Sequence, residues 1–117
     1  APAYKDLPSN LKEKADYAKQ QFEGIIKKHF QQEEAMLEKV KDCHNDIKEL
    51  GVEIILEHEQ LTALFLSLDS AVDLEDRLDK LGRALEEHNR KEERVLIPLL
   101  QEHCSEEVLQ NVHQILH

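Results

Sequence analysis

The sequence LDKLGRALEEHNRKEERVLIPL, residues 78–99, decides the fold class. Its apolar residues recur at steps of three and four, which is typical of an amphipathic helix and unlike the alternation of a strand. One face of this helix carries Leu78, Leu81, Leu85, His88, Glu92, Val95 and Leu99. Pro98 cannot donate a backbone hydrogen bond, so we expect a kink at this point or an approaching helix end.

The same period extends in both directions from this stretch. It predicts long helices from about residue 10 to 40 and from about residue 44 to 68, and a short helix from Ser105 to near residue 116. Short connections force consecutive helices to lie antiparallel. The sequence therefore predicts an all-α fold, an antiparallel helical bundle of three long helices and a short C-terminal helix.

Capping residues mark where two of these helices begin. Asn10 is followed three residues later by Glu13, which is the spacing of a capping box. The third long helix is expected to begin directly after Asp69 or Ser70, with Asp73 completing a second capping box.

Composition limits the class of protein. The 117 residues contain 34% charged residues but only 3 Gly and 3 Pro, which fits one helical domain over residues 1–117. The net charge of −10 disfavours nucleic acid and anionic membrane surfaces as partners. No apolar run approaches the ~20 residues of a membrane span. Two cysteines are too few for a disulfide framework, so we expect a reducing, cytoplasmic location.

Polar residues interrupt the apolar faces of the long helices. His29 and Glu33 do so on the first, His58 on the second, and His88 and Glu92 on the third. At ~1.5 Å of rise per residue, the three histidines can meet within a turn or two of one another. Two buried carboxylates are costly unless they are paired, protonated or bound to a cation. The face of the first helix carries Leu11, Ala15, Ala18, Phe22, Ile25, His29, Glu33, Leu37 and Val40.

These five polar residues form a candidate metal site. Imidazole nitrogen together with carboxylate oxygen suits iron, manganese or zinc, and carboxylates can bridge two ions in a helical bundle. The alternative is a metal-free polar core in which the histidines only form hydrogen bonds. Glu34 and Glu93 directly follow the candidate carboxylates and are expected to point elsewhere.

Three segments of the chain resemble the hemerythrin-like, or HHE cation-binding, family. HFQQEE at residues 29–34 is similar to its H-x-x-x-E-E element, and LEHEQL at residues 56–61 is similar to its E-H-x-x-L element. HNRKEERVLIPL at residues 88–99 resembles the H-x-x-x-E-E-x-V-L-F-P segment. Order and spacing agree over about residues 10–110.

The resemblance implies a di-iron centre in an antiparallel four-helix bundle, with two irons per site; one iron, or manganese or zinc, is the alternative. By this analogy Glu33 and Glu92 would bridge the irons. The terminal ligands would be His29, His58 and His88. The family binds dioxygen or related small molecules, or senses oxygen or iron. Water would be excluded by an apolar wall of Ile25, Ile26, Ile54, Leu61 and Phe65.

The chain departs from the family pattern at its beginning. That pattern starts with a helix carrying another histidine, and no histidine precedes His29 here. Without that helix one apolar side of the site is exposed. A second copy of the chain, a preceding segment or partner protein, or a last helix folded back could cover it, and in the last case His113 would be a surrogate ligand. Of these we expect the homodimer.

Cys43-His44 and His103-Cys104 follow the ends of the first and third helices, which run parallel. They could form a disulfide, a zinc site with two cysteines and two histidines, or two unrelated surface pairs. The spacing is not that of a zinc finger, so we expect unrelated pairs.

The resemblance thus implies a di-iron protein that binds or senses dioxygen or iron, and we expect it not to be an enzyme. A di-iron oxidase or peroxidase is one alternative, and a metal-free helical interaction module is another. Enzymes of the first kind generally carry more carboxylate ligands than the two found here, which favours binding over turnover.

Overall fold

The computed structural model describes residues 10–70 and 72–116, which form four helices and no strand. Helix α1 covers residues 11–40, and α2 covers Asn45–Leu66 and continues into a 3-10 turn at Ser67–Asp69. Helix α3 covers residues 74–103, and α4 covers Glu106–Leu116. The predicted all-α fold with three long helices and a short last one is confirmed. Residues 1–9, 71 and 117 of the predicted domain lie outside the described residues.

The two predicted helix starts have different outcomes. Asn10 caps α1 as expected, because its Oδ1 accepts a hydrogen bond from the backbone N–H of Glu13 at 2.8 Å. Helix α3 begins at Leu74, later than predicted, and within the described residues Asp73 makes no side-chain capping bond. The backbone of Asp73 is left-handed, with φ of 53°, which turns the chain into the helix in place of a capping box.

Two π-helical segments lie inside the long helices. Phe22–Ile26 divides α1 into Leu11–Gln21 and Lys27–Val40, and Glu92–Leu96 divides α3 into Leu74–Lys91 and Ile97–His103. A π turn contains one residue more than an α turn, so the inward face shifts by one residue after it.

This shift corrects two predicted core positions. Leu96 is fully buried where Val95 was expected, and Val95 is 44% exposed. Ile25 is 62% exposed for the same reason, so its predicted place on the inward face is wrong. Pro98 falls in the first turn of the α-helical segment that follows the π turn, where a missing N–H is tolerated. The helix therefore continues past it to His103.

The buried core consists of two apolar clusters with a polar layer between them. The first contains Ala15, Phe22, Phe30, Leu61, Phe65, Leu68 and Leu81. The second contains Met36, Leu37, Val40, Ile47, Leu50, Ile54, Leu96, Leu100 and Val112. Along each long helix, a buried polar residue separates the two: Glu33, His58 and His88. Each fully buried large apolar side chain contributes about 1.5–3 kcal/mol, so the two clusters hold the helices at the height of this layer.

The short helix α4 folds back along the bundle. Val112 on α4 is buried in the second cluster, against the Lys27–Val40 segment of α1. The last helix therefore folds back and covers part of the apolar side that the missing first helix would leave exposed. It does so at one end of the bundle. The other end keeps a groove of about 440 Å³ between α1 and α3, lined mainly by apolar residues such as Leu11, Leu78 and Leu85. None of the described helices is long and apolar enough to cross a membrane.

Candidate metal centre

Four of the five predicted site residues meet in the polar layer. Glu33, His58, His88 and Glu92 each direct one nitrogen or oxygen to a common point, and these atoms lie within 4.8 Å of one another. Glu33 Oε1 lies 3.0 Å from His58 Nε2 and 3.9 Å from His88 Nε2. Glu92 Oε1 lies 2.5 Å from His88 Nε2. The group combines two imidazoles from α2 and α3 with two carboxylates from α1 and α3.

His29 lies at the edge of this group. Its Nε2 is 3.5 Å from Glu33 Oε2, but its side chain is 38% exposed and it is not one of the four that converge. Phe30 takes the buried position beside it. His29 lies four residues before Glu33 on the same α-helical segment, half-buried at the rim of the centre, and its role as a ligand stays a prediction. His113, the suggested surrogate ligand, is exposed on α4 and lies outside the group of four.

Two further carboxylates fix the orientation of the central histidines. Glu34 Oε2 lies 2.8 Å from His58 Nδ1, and Glu57 Oε1 lies 2.7 Å from His88 Nδ1. If each Nδ1–H donates to its carboxylate, each Nε2 presents its lone pair to the four-residue group, as metal-ligating histidines require. Lys91 forms an ion pair with Glu57 and extends the chain of contacts to the surface.

Sequence reasoning missed both of these carboxylates. The expectation that Glu34 points elsewhere is wrong, because it contacts His58. The motif that contains Glu57 predicts no function for this residue, which contacts His88. Their position directly beside a candidate ligand could have identified them. The next residue on a helix is turned by about 100°, and here it faces the neighbouring helix. Glu93, also expected to point elsewhere, is exposed.

The centre contains buried polar atoms that a bound cation would satisfy. Within the part of the chain that the structure describes, Glu33 Oε2 and His88 Nε2 are buried without a hydrogen-bond partner. His88 Nε2 is close to Glu92, but the two are not aligned for a hydrogen bond. A buried polar atom without a partner costs ~1–3 kcal/mol. A cation would satisfy both atoms at once, and the two imidazoles and two carboxylates are a donor set that iron, manganese or zinc accepts.

Comparison with known families agrees with this donor set. The family model of the hemerythrin HHE cation-binding domain matches residues 2–100. The chain belongs to this family. A search of curated proteins and a search of solved structures each found no match. Family membership and the buried His/Glu group together support a metal-binding protein.

In this hemerythrin HHE domain, the pKa values of the central carboxylates and of His88 are shifted, which affects the protons that a cation must displace. Burial raises the pKa of Glu33, which favours its protonated form. Burial alone would lower the pKa of His88, but the Glu92 and Glu57 carboxylates beside it outweigh burial and raise it. The pKa of Glu92 is lowered despite burial, mainly by His88. Both shifts favour the protonated forms of Glu33 and His88, and protons on these groups compete with a metal ion.

Apolar side chains seal the hemerythrin HHE centre from two directions. The Phe30 ring stacks on the His58 ring, with centroids 4.0 Å apart and planes 8° from parallel. Ile54 and Leu61 lie about one turn before and after His58 and are buried, as predicted for the wall. Ile25 is not part of this wall because it faces outward, and Phe30 lies against the histidines in its place.

Proposed function

We propose that this hemerythrin HHE protein binds iron through Glu33, His58, His88 and Glu92, with His29 as a further ligand, and that the iron centre binds or senses dioxygen or a related small molecule. The observation that carries the proposal is the pair of buried, unpartnered donor atoms, Glu33 Oε2 and His88 Nε2, inside a convergent His/Glu group. Glu33 Oε2 lies 3.5 Å from His29 Nε2 and His88 Nε2 lies 2.5 Å from Glu92 Oε1, but neither atom has an aligned hydrogen bond, and a cation between these donors would satisfy both.

The two oxygens of Glu33 support a site for two ions. Oε1 faces His58 and His88, whereas Oε2 faces His29 on the other side. Glu33 and Glu92 would then bridge two irons; one iron, or manganese or zinc, is the alternative. Bound iron would supply a redox-active ion with a coordination position open to dioxygen.

The protein side chains around the centre have separate tasks. Glu34 and Glu57 hold the Nδ1 protons of the two central histidines and so keep each Nε2 available as a donor atom. Phe30, Ile54 and Leu61 exclude water, which protects a bound small molecule from protonation. The groove between α1 and α3 extends to Ile26 and Leu85, one turn before His29 and His88, and offers a small ligand a path.

We propose binding or sensing as the role, and not turnover, because two carboxylates of the described residues join the central group. We also propose a cytoplasmic location and a homodimer whose second copy covers the remaining groove. Sedimentation should then give the mass of two chains near micromolar concentration; the mass of one chain would contradict the dimer.

Metal content per chain tests the proposal directly. The protein is loaded with ferrous iron without oxygen, freed of excess, and assayed for iron together with helix content. We expect near two irons per chain, and a difference in the optical spectrum when oxygen is admitted. His58→Ala should lose at least one iron and stay helical, whereas the control His113→Ala, which replaces an exposed histidine, should keep full content. A folded chain without iron would contradict the proposal.

A further inference from the structure

The ends of α1 and α3 meet at a second group of chemically reactive side chains, outside the metal centre. The rings of His44 and His103 stack, with centroids 3.8 Å apart and planes 22° from parallel. Cys43 precedes the first ring and Cys104 follows the second. The expectation of two unrelated surface pairs is therefore wrong.

The two cysteines are neighbours and lie on ordered backbone. Neither is in a disulfide, both are half-buried, and both lie against the same apolar cluster. Burial and, after it, the neighbouring Cys43 side chain raise the pKa of the Cys104 thiol. The backbone N–H of Cys43 donates to Val40, and that of Cys104 donates to Leu100, each at 2.9 Å. Because both main chains are fixed by helix-terminal hydrogen bonds, the proximity of the two cysteines belongs to the fold and not to a mobile tail.

The geometry favours a covalent pair over a metal site. Among the described residues, the donor atoms that converge as in a metal site are those of Glu33, His58, His88 and Glu92, and not those of the two cysteines and their histidines. His44 Nδ1 is moreover occupied, because it accepts the backbone N–H of Asp46 at 3.0 Å. Two adjacent thiols can instead form a disulfide, whose side chains need only a short approach of the sulfur atoms.

We propose that Cys43 and Cys104 are a reversible thiol–disulfide pair that joins the C-terminal ends of α1 and α3, with a low-molecular-mass disulfide as the oxidant. One of the two protein thiolates attacks one sulfur of that disulfide, forms a mixed disulfide and releases one thiol. The other protein thiolate then attacks the cysteine sulfur of the mixed disulfide, forms the internal disulfide and releases the second thiol. Two protein thiols are oxidised, one external disulfide is reduced to two thiols, and the two protein protons end on these thiols.

Both thiols are half-buried beside each other, so either can react first with the external disulfide. Once one cysteine is in the mixed disulfide, its sulfur lies beside the other cysteine, and the second step is intramolecular.

The bond would link the two helices that carry Glu33 and Glu92. Cys43 lies ten residues after Glu33 and Cys104 twelve residues after Glu92, so the linkage forms at the bundle end and not within the metal centre. Oxidation therefore needs no metal, and its test is independent of the proposed function.

The test is incubation of the full chain with oxidised glutathione, followed by intact mass and a count of free thiols. We expect the chain to lose two thiols and two hydrogens, to gain no glutathione, to run as a single chain on a non-reducing gel, and to recover with dithiothreitol. Retention of both thiols, glutathione on both cysteines, or disulfides between chains would each overturn the proposal.

Single variants test the two-step exchange. Cys43→Ser and Cys104→Ser should each stop at one glutathione adduct and form no internal disulfide. A single variant that shows no adduct under the conditions that oxidise the original chain would overturn the proposal. The double serine variant, checked for helix content and iron content, controls for a merely structural role of the two thiols.

Discussion

Replacing Glu33 by glutamine tests whether this carboxylate serves metal binding or the stability of the metal-free fold. Glu33 is fully buried, with one oxygen 3.0 Å from His58 Nε2 and the other without a partner in the described structure. Glutamine has the same shape, and its amide N–H can donate to His58 Nε2, so Glu33→Gln should leave the metal-free fold as stable as before or more stable. It removes the anionic donor that lies between the histidines, so metal binding should fail.

The magnitude follows from linkage. A metal at 100 times its dissociation constant stabilises the folded state by about 2.7 kcal/mol. For a domain of this size that corresponds to roughly 10 °C in Tm. We expect this rise in the original chain and no rise in Glu33→Gln.

Thermal unfolding with and without ferrous iron, under nitrogen, measures both quantities. The matched control is Glu38→Gln, an exposed carboxylate on the same helix, which should keep the full rise. A rise that persists in Glu33→Gln would show that Glu33 is not a ligand. A metal-free Glu33→Gln that melts several degrees lower would show that the carboxylate is structural.

The remaining predictions concern the outer carboxylate, the protons of the centre and the shifted face of α3. Glu57→Gln should weaken iron binding about 10–100-fold, because the His88 ring loses the carboxylate that holds its Nδ1 proton. The control Glu53→Gln replaces a carboxylate that lies 3.8 Å from the same Lys91, and it should not weaken binding. Titration calorimetry with Mn²⁺ in place of iron measures both affinities. The metal-free protein should lose stability as pH rises from 6.5 through the raised pKa of His88, because over this range the folded state binds more protons than the unfolded state. Metal affinity should rise over the same range. Urea unfolding at several pH values measures the stability of the metal-free protein, and a rise in this stability with pH would contradict the prediction. Leu96→Ala should cost about 2–5 kcal/mol of unfolding free energy and Val95→Ala less than about 0.5 kcal/mol; similar losses for the two would place the π segment elsewhere.

The helices were predictable because their cause is local. An apolar residue every three or four positions must form one face, so the three long helices and the short last one follow from the pattern alone. Glu33, His58, His88 and Glu92 were predictable for the same reason, since each interrupts a face that is otherwise apolar.

The π segments were not predictable from period. The inward residues after Glu92 are Leu96 and Leu100, and steps of four are also compatible with an α-helix. Val95 therefore fitted the pattern as well as Leu96, and only packing against the other helices decides between them.

Contacts between side chains on different helices also could not be predicted from the sequence. The bonds from Glu34 to His58 and from Glu57 to His88 depend on the rotation of one helix relative to the next. The proximity of Cys43 and Cys104 depends likewise on two helix ends finishing at the same height.

The polar layer divides the interior into two small cores, and this has a consequence for cooperativity. One core is completed by α4 through Val112, whereas the other borders the open groove beside Leu11. Each alone buries few side chains, so in the metal-free chain the groove end can open while the α4 end stays folded, and its amide hydrogens would exchange sooner. An ion at the boundary holds residues from α1, α2 and α3 together. Metal binding would thereby turn two loosely coupled folding units into one.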